Sequence, residues 1–165
     1  VVTERFSYCF DAPEDSPYPP ILNAHKMVAL EPVTITGAGG NVTALPFNQV
    51  HGHIDSLGFR FGQVAYSSDL NDISEASLEH LHDLDVWIID ALRYTPHPTH
   101  LHVDRALELI EQMKPKRAIL TNMHIDLDYE TLRSELPDNV EPAYDGLILN
   151  TDDEIRSHIP YQETV

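Results

Sequence analysis

The stretch Phe61-Gly62-Gln63-Val64-Ala65-Tyr66-Ser67-Ser68-Asp69-Leu70-Asn71-Asp72 decides how this chain is read. Gln63 to Ser67 has apolar residues at alternate and adjacent positions, the pattern of a short strand covered on both faces. It ends in Ser68-Asp69, and a polar turn then leads into a helix beginning near Ser74. A carboxylate at the end of a buried strand sits on a rigid element and faces the rim where loops gather. A lone aspartate there is more often a helix cap or turn residue. Asp69 is not alone, however. His51 closes the strand pair before it, and His100 and His124 follow strand ends after it. Four such groups at element ends point to a metal site.

Upstream, residues 1–10 read as the last turns of a helix, with Phe6 and Phe10 four apart. Residues 11–20, DAPEDSPYPP, form a loop in which prolines remove donors and fix the backbone. Val33–Thr36 and Val42–Leu45 flank Gly37-Ala38-Gly39-Gly40-Asn41 and predict a hairpin. That glycine run lacks the Gly-Lys-Ser/Thr ending of a phosphate loop and opens no helix. Asn41-Val42-Thr43 matches a glycosylation acceptor, but nothing else suggests secretion. Phe47–Val50 leads to His51-Gly52-His53, whose histidines would share a face if both were on a strand. Leu57–Phe61 is the next strand.

Downstream the pattern changes to helix–strand alternation. A helix is expected over residues 74–82. Val86–Ile89 is an apolar strand ending in Asp90, a carboxylate that needs a partner and could orient a histidine. Thr95–His102 is a proline-stiffened loop with histidines at 97, 100 and 102. Val103, Ala106, Leu107 and Ile110 give the apolar stripe of a helix over 102–113, stopped by Pro115. Ala118–Leu120 is a strand, and residues 128–136 a helix that Asp126 and Asp128 would both cap. Leu147–Leu149 is read as the last strand, and residues 150–165 as a polar tail. A meander followed by β-α-β-α-β predicts an α/β layered domain with its functional groups at strand ends.

The totals narrow the function. The 165 residues suffice for one domain with a real core. The formal charge of −17 repels nucleic-acid backbones and anionic lipid. A bound divalent metal would reverse that field locally, so a small phosphate ester is not excluded. The N-terminus has no signal-peptide pattern, no run is long enough for a membrane helix, and the single cysteine, Cys9, implies a reducing, cytoplasmic setting.

The ordered blocks LPFNQVHGHIDSLGFRFGQVAYSSD, VWIIDAL, HPTHLHVDRAL, RAILTNMHIDLDY and AYDGLIL resemble the C-terminal half of the metallo-β-lactamase superfamily. The nearest likeness is to the branch of phosphoribosyl cyclic phosphate phosphodiesterases. The resemblance implies an α/β fold of the αββα sandwich type, with a dinuclear site at one edge. It implies a hydrolase acting on a small, cyclic phosphate ester through two divalent ions, zinc or manganese, sharing a bridging hydroxide. By the same likeness His51 is a metal ligand, Asp69 the bridging ligand, and His100 a catalytic residue near the phosphate. For the last metal ligand, relatives place a histidine where this chain has Asn122; His124, two residues on, is the better ligand by chemistry. The family's His-x-His-x-Asp-His motif does not occur in these residues. Residues 1–149 are therefore expected to be part of the domain, inactive alone and prone to associate, with activity in the parent protein. Other superfamily chemistries (thioester, lactam, tRNA-maturation endonuclease) and a non-catalytic assembly module are the alternatives. Metal content separates the last from the rest.

Overall fold

Antiparallel pairing runs through the first half of the sheet and parallel pairing through the second. The computed structural model describes residues 2–12 and 15–150. Strands β1 (Val33–Gly37), β2 (Gly40–His51), β3 (Ile54–Phe61) and β4 (Val64–Ser67) pair in sequence, all antiparallel. The two-residue β5 (Asp72–Ile73) returns to β2 opposite Gln49 and Val50. Strand β6 (Val86–Asp90) then lies parallel to β4, followed by β7 (Arg117–Thr121) and β8 (Val140–Pro142). The order across the sheet is β1-β2-β3-β4-β6-β7-β8. Parallel neighbours need crossovers. These are supplied by α3 (Glu75–Leu78), α4 (Val103–Met113) and α5 (Tyr129–Glu135), after the short α1 (Val2–Arg5) and α2 (Ser7–Phe10) near the N-terminus.

The core lies on one face of this sheet. Ala65, Trp87 and Ala118 stand in register across β4, β6 and β7, with Ile89 and Leu120 beside them. They form a buried cluster with Val103, Ala106, Leu109, Ile110 and Met113 of α4 and Leu132 of α5. The three- and four-residue spacing of the α4 positions gives one apolar stripe, as the sequence predicts. Trp87 is fully buried, and its indole N–H donates to Ser67 Oγ at 3.0 Å, so its polar edge is satisfied. Lys114 ends α4 in the left-handed conformation, one residue before Pro115.

The opposite face is more open. Phe59, Tyr66, Ile88 and Ile119 stand in register there, yet Tyr66 is 42% exposed. Strand β4 is thus covered on the Ala65/Ser67 side only, not on both, because the helices that enter the core cluster meet that side. The result is a mixed sheet with helices on one face, consistent with the expected αββα sandwich.

Other expectations need correction. The N-terminal helix is two four-residue helices interrupted at Phe6. The helix expected over 74–82 is regular only over Glu75–Leu78, where the Ser74 side chain accepts from the backbone N–H of Ser77. Leu147–Leu149 is not a strand. Ala143 N–H bonds the Leu120 carbonyl, and the chain then turns through Gly146 (φ +86°), with Leu147 N–H donating to the Tyr144 carbonyl. That turn carries the apolar run off the sheet edge, and the edge position belongs to β8. The tail from residue 151 lies outside the described residues. Among the described residues no helix is long and apolar enough to cross a membrane.

Candidate metal centre

His51 closes β2, and its ring is held from behind. Nδ1 lies 2.7 Å from the carbonyl oxygen of Thr99, to which it donates as Nδ1–H, leaving the Nε2 lone pair free. The neighbouring Gly52 allows this approach. It has φ +66°, and a Cβ there would stand 2.6 Å from Thr99 Cγ2. Gly52 N–H in turn donates to Asn71 Oδ1 at 2.9 Å, tying the hairpin end to the segment after Asp69. His53 falls in the turn after β2, is exposed, and is not part of the cluster described below.

Asp69 stands just beyond β4 with a left-handed backbone, φ +57°. A non-glycine residue in that region costs energy and persists only when its neighbours fix it. They do so here. Gln49 Nε2 donates to the Ser68 carbonyl at 2.9 Å, and Ser56 Oγ donates to the Asp69 carbonyl at 2.7 Å. The conformation leaves the Asp69 side chain exposed at the rim.

His100 comes from the loop between β6 and α4. Its Nδ1 lies 2.8 Å from Oδ2 of Asp90, which is fully buried. Asp90 also accepts from Leu70 N–H and Asn122 Nδ2, both at 3.4 Å. Burial pushes the Asp90 carboxyl above the usual carboxylate value, and the bond and charge of His100 oppose that shift. As with His51, the Nδ1–H bond leaves Nε2 with a lone pair. The His51 and His100 rings meet edge to face, centroids 4.9 Å apart. His51, Asp69 and His100 each offer a ligand atom, and these atoms lie within 4.8 Å of one another. Two imidazoles with tied Nδ1 atoms and one carboxylate are donors that a transition metal could use.

The structure does not bring His124 into this group. Its backbone N–H bonds the Leu92 carbonyl, its ring pairs with Asp126 Oδ2 at 3.0 Å, and its side chain is half exposed. Asn122 is the residue of that loop that turns toward the site. It has φ +59°, and its amide nitrogen donates to Asp90 Oδ1 at 3.4 Å. Asp128, not Asp126, caps α5. His97 lies against His100 with ring centroids 5.2 Å apart, and partial desolvation, helped by the charge of Arg93, lowers its pKa. Beside Asn122 an open cleft of about 500 Å³ runs between residues 121–123 and 143–147, lined by Met123, Tyr144, Asp145 and Leu147. Sequence reasoning weighed Asn122 only as a metal ligand, preferred His124 to it, and did not find this cleft. An asparagine directly after a buried strand, able to take a left-handed turn, was the available signal.

A family model described as the Beta-lactamase superfamily domain matches residues 1–125. A diphosphatase from the PhnP family superposes with a TM-score of 0.74 at 32% identity, covering 89% of this chain and 52% of that one. YhfI of Bacillus subtilis, a metallo-beta-lactamase fold protein, gives a TM-score of 0.66 at 15% identity over 87% of this chain and 59% of its own, and speaks for the fold alone. An octanoyltransferase of Porphyromonas gingivalis (strain ATCC BAA-308 / W83) is 28% identical over 151 residues, 88% of this chain and 29% of that protein. The chain therefore spans about half the length of the diphosphatase and under a third of the octanoyltransferase. With the fold and the family match in agreement, the chain belongs to the metallo-β-lactamase superfamily, in its PhnP-like branch.

Proposed function

We propose that these residues are part of a metal-dependent phosphodiesterase acting on a small, cyclic phosphate ester. The observation that carries this reading is the convergence of His51, Asp69 and His100 within 4.8 Å, with both Nδ1 atoms occupied from behind. The likeness to a PhnP-family diphosphatase supports phosphorus as the centre attacked. His51 and Asp69 would hold divalent ions, two of them, zinc or manganese, in the complete protein. Bound ions supply polarisation of a phosphoryl oxygen and activation of water. His100 acts on the leaving group. Protonated on Nε2 as well, its ring is an imidazolium stabilised by the Asp90 carboxylate, and it can give that proton to the leaving oxygen. The open cleft beside Asn122 offers room for the organic part of the ester. The net charge of −17 favours a small substrate over a polyanion.

The octanoyltransferase relative favours one second reading, an acyl thioester as substrate. One screen tests both. The intact protein carrying these residues is assayed with phosphodiester and thioester substrates, with metal analysis of the same sample. Phosphodiester hydrolysis that is lost on chelation and returns with zinc or manganese is expected. Metal-loaded protein that cleaves only the thioester, or a protein that binds no metal, would overturn the phosphodiesterase reading.

A further inference from the structure

The proposed reaction leaves His97 without a task. It sits half-buried between Pro96 and Pro98, on the loop that presents His100. The loop is stiff. Arg93 donates through Nε to the Thr95 carbonyl at 3.0 Å and through Nη2 to the Pro96 carbonyl at 2.8 Å. The His97 ring stands 5.2 Å from that of His100, which stands 4.9 Å from that of His51, so three imidazoles neighbour one another.

Their protons are placed differently, and one residue sets two of them. The Thr99 carbonyl accepts from His51 Nδ1, which puts the His51 proton on Nδ1 and leaves a lone pair on Nε2. The Thr99 backbone N–H donates to His97 Nδ1 at 3.3 Å, and Thr99 Oγ1 lies 3.3 Å from the same nitrogen. A ring nitrogen that accepts a backbone N–H carries no proton, so the neutral His97 ring has its proton on Nε2. His51 thus offers a lone pair at Nε2, and His97 offers an N–H. A tetrahedral phosphoryl group has more acceptor oxygens than a metal site and one leaving-group acid engage. An N–H donor fixed beside such a site can bind one of the oxygens that remain.

We propose that His97 is a substrate-binding residue whose Nε2–H donates to a phosphoryl oxygen of a ligand seated at the His51–Asp69–His100 group. The proposal rests on the phosphodiesterase reading. Asparagine and glutamine test it, because the Asn amide nitrogen falls near the position of Nδ1 and the Gln amide nitrogen near that of Nε2. In the metal-loaded intact protein, His97→Gln should keep KM for a phosphodiester within about threefold. His97→Asn should raise it about tenfold, the effect of losing one hydrogen bond to a charged acceptor. Metal content should not change in either. Equal effects of the two variants, or a harmless His97→Asn, would overturn the proposal.

A second readout needs no turnover. Imidazole ¹⁵N NMR of the metal-free protein should show the Nε2–H form at His97 and the Nδ1–H form at His51. Inorganic phosphate added to the metal-loaded protein should then shift the His97 Nε2 signal. That shift in a protein that hydrolyses no phosphodiester would remove the phosphodiesterase reading and leave His97 as an anion-binding residue. An unmoved His97 signal at saturating phosphate would remove the His97 proposal and leave the reaction untouched.

Discussion

Two loops leave the same edge of the sheet, one after β6 and one after β7, and each carries a histidine that sequence chemistry marks as functional. Their outcomes differ. His100 is backed by Asp90, a carboxylate with no exposure, and is held within ligand reach of His51 and Asp69. His124 is backed by Asp126, itself 64% exposed in its side chain, and belongs to no such group among the described residues. The ring is the same in both loops, so the partner behind it makes the difference. A buried acceptor fixes one nitrogen and aims the other. An exposed one competes with water and fixes little.

The sharpest test compares the rings directly in the intact, metal-loaded protein. His100→Ala should lower kcat about a hundredfold or more, the range of a lost general acid, with metal retained. His124→Ala should leave kcat within about twofold, since its ring faces Asp126 and not the site. Metal loss in the His100 variant would make His100 a ligand instead of an acid. Metal loss in the His124 variant would mean that residues 122–126 swing inward, and would restore His124 as the last ligand.

Next come the backing carboxylates. Asp90→Ala leaves His100 Nδ1, Leu70 N–H and Asn122 Nδ2 without their shared acceptor in a dry place. That should cost about 3 kcal/mol in urea unfolding. Asp126→Ala should cost nothing measurable, and similar midpoints for the two variants would dissolve the distinction drawn between the loops.

A smaller effect separates the glycines beside the two regions. Gly52 and Gly146 both have positive φ, but only Gly52 would meet a neighbour, Thr99 Cγ2, on gaining a Cβ. Gly146→Ala should cost about 1 kcal/mol, the conformational strain alone. Gly52→Ala should cost more and also weaken metal binding, because it pushes Thr99 away from His51. Equal stability losses with unchanged metal affinity would show that Thr99 does not set the His51 ring.

Much of this architecture was legible in residue patterns. The apolar strands at Val86–Asp90 and Arg117–Thr121, the Gly-rich hairpin and the stripe of α4 are local signals that tertiary packing reinforces. Strand β8 was not legible, because Val140-Glu141-Pro142 is short and contains proline, which only an edge position tolerates. Leu147–Leu149 looked more strand-like yet has no ladder partner among the described residues. In the site, Asp69 could be read because a carboxylate after a buried strand is chemically conspicuous. Asn122 was discounted because a carboxamide is a poor metal ligand, although what it provides is a donor to Asp90. Which histidine is aimed depends on contacts such as Asp90–His100 and Thr99–His51. The latter spans 48 residues, and no local pattern records it.

The smallest effect concerns Asp128, the second acidic residue of the loop after β7. Asp128 Oδ1 accepts from Thr131 N–H at 2.9 Å and Thr131 Oγ1 at 2.8 Å, capping α5. These bonds favour the ionised form and hold its pKa below the usual carboxylate value of 3.8. A carboxylate whose folded pKa is depressed contributes stability that is present above the unfolded value. That contribution fades as pH falls through 3.8 toward the lower folded value. Asp128→Ala should therefore lower Tm by a few degrees near neutral pH, as a lost N-cap does. The gap from the parent protein should narrow as pH falls below 3.8. Asp126→Ala, two residues earlier and without a capping bond, should show no such pH-dependent gap. A gap for Asp128→Ala that stays constant from neutral pH to well below 3.8 would mean that side-chain volume, not the charged cap, holds the start of α5.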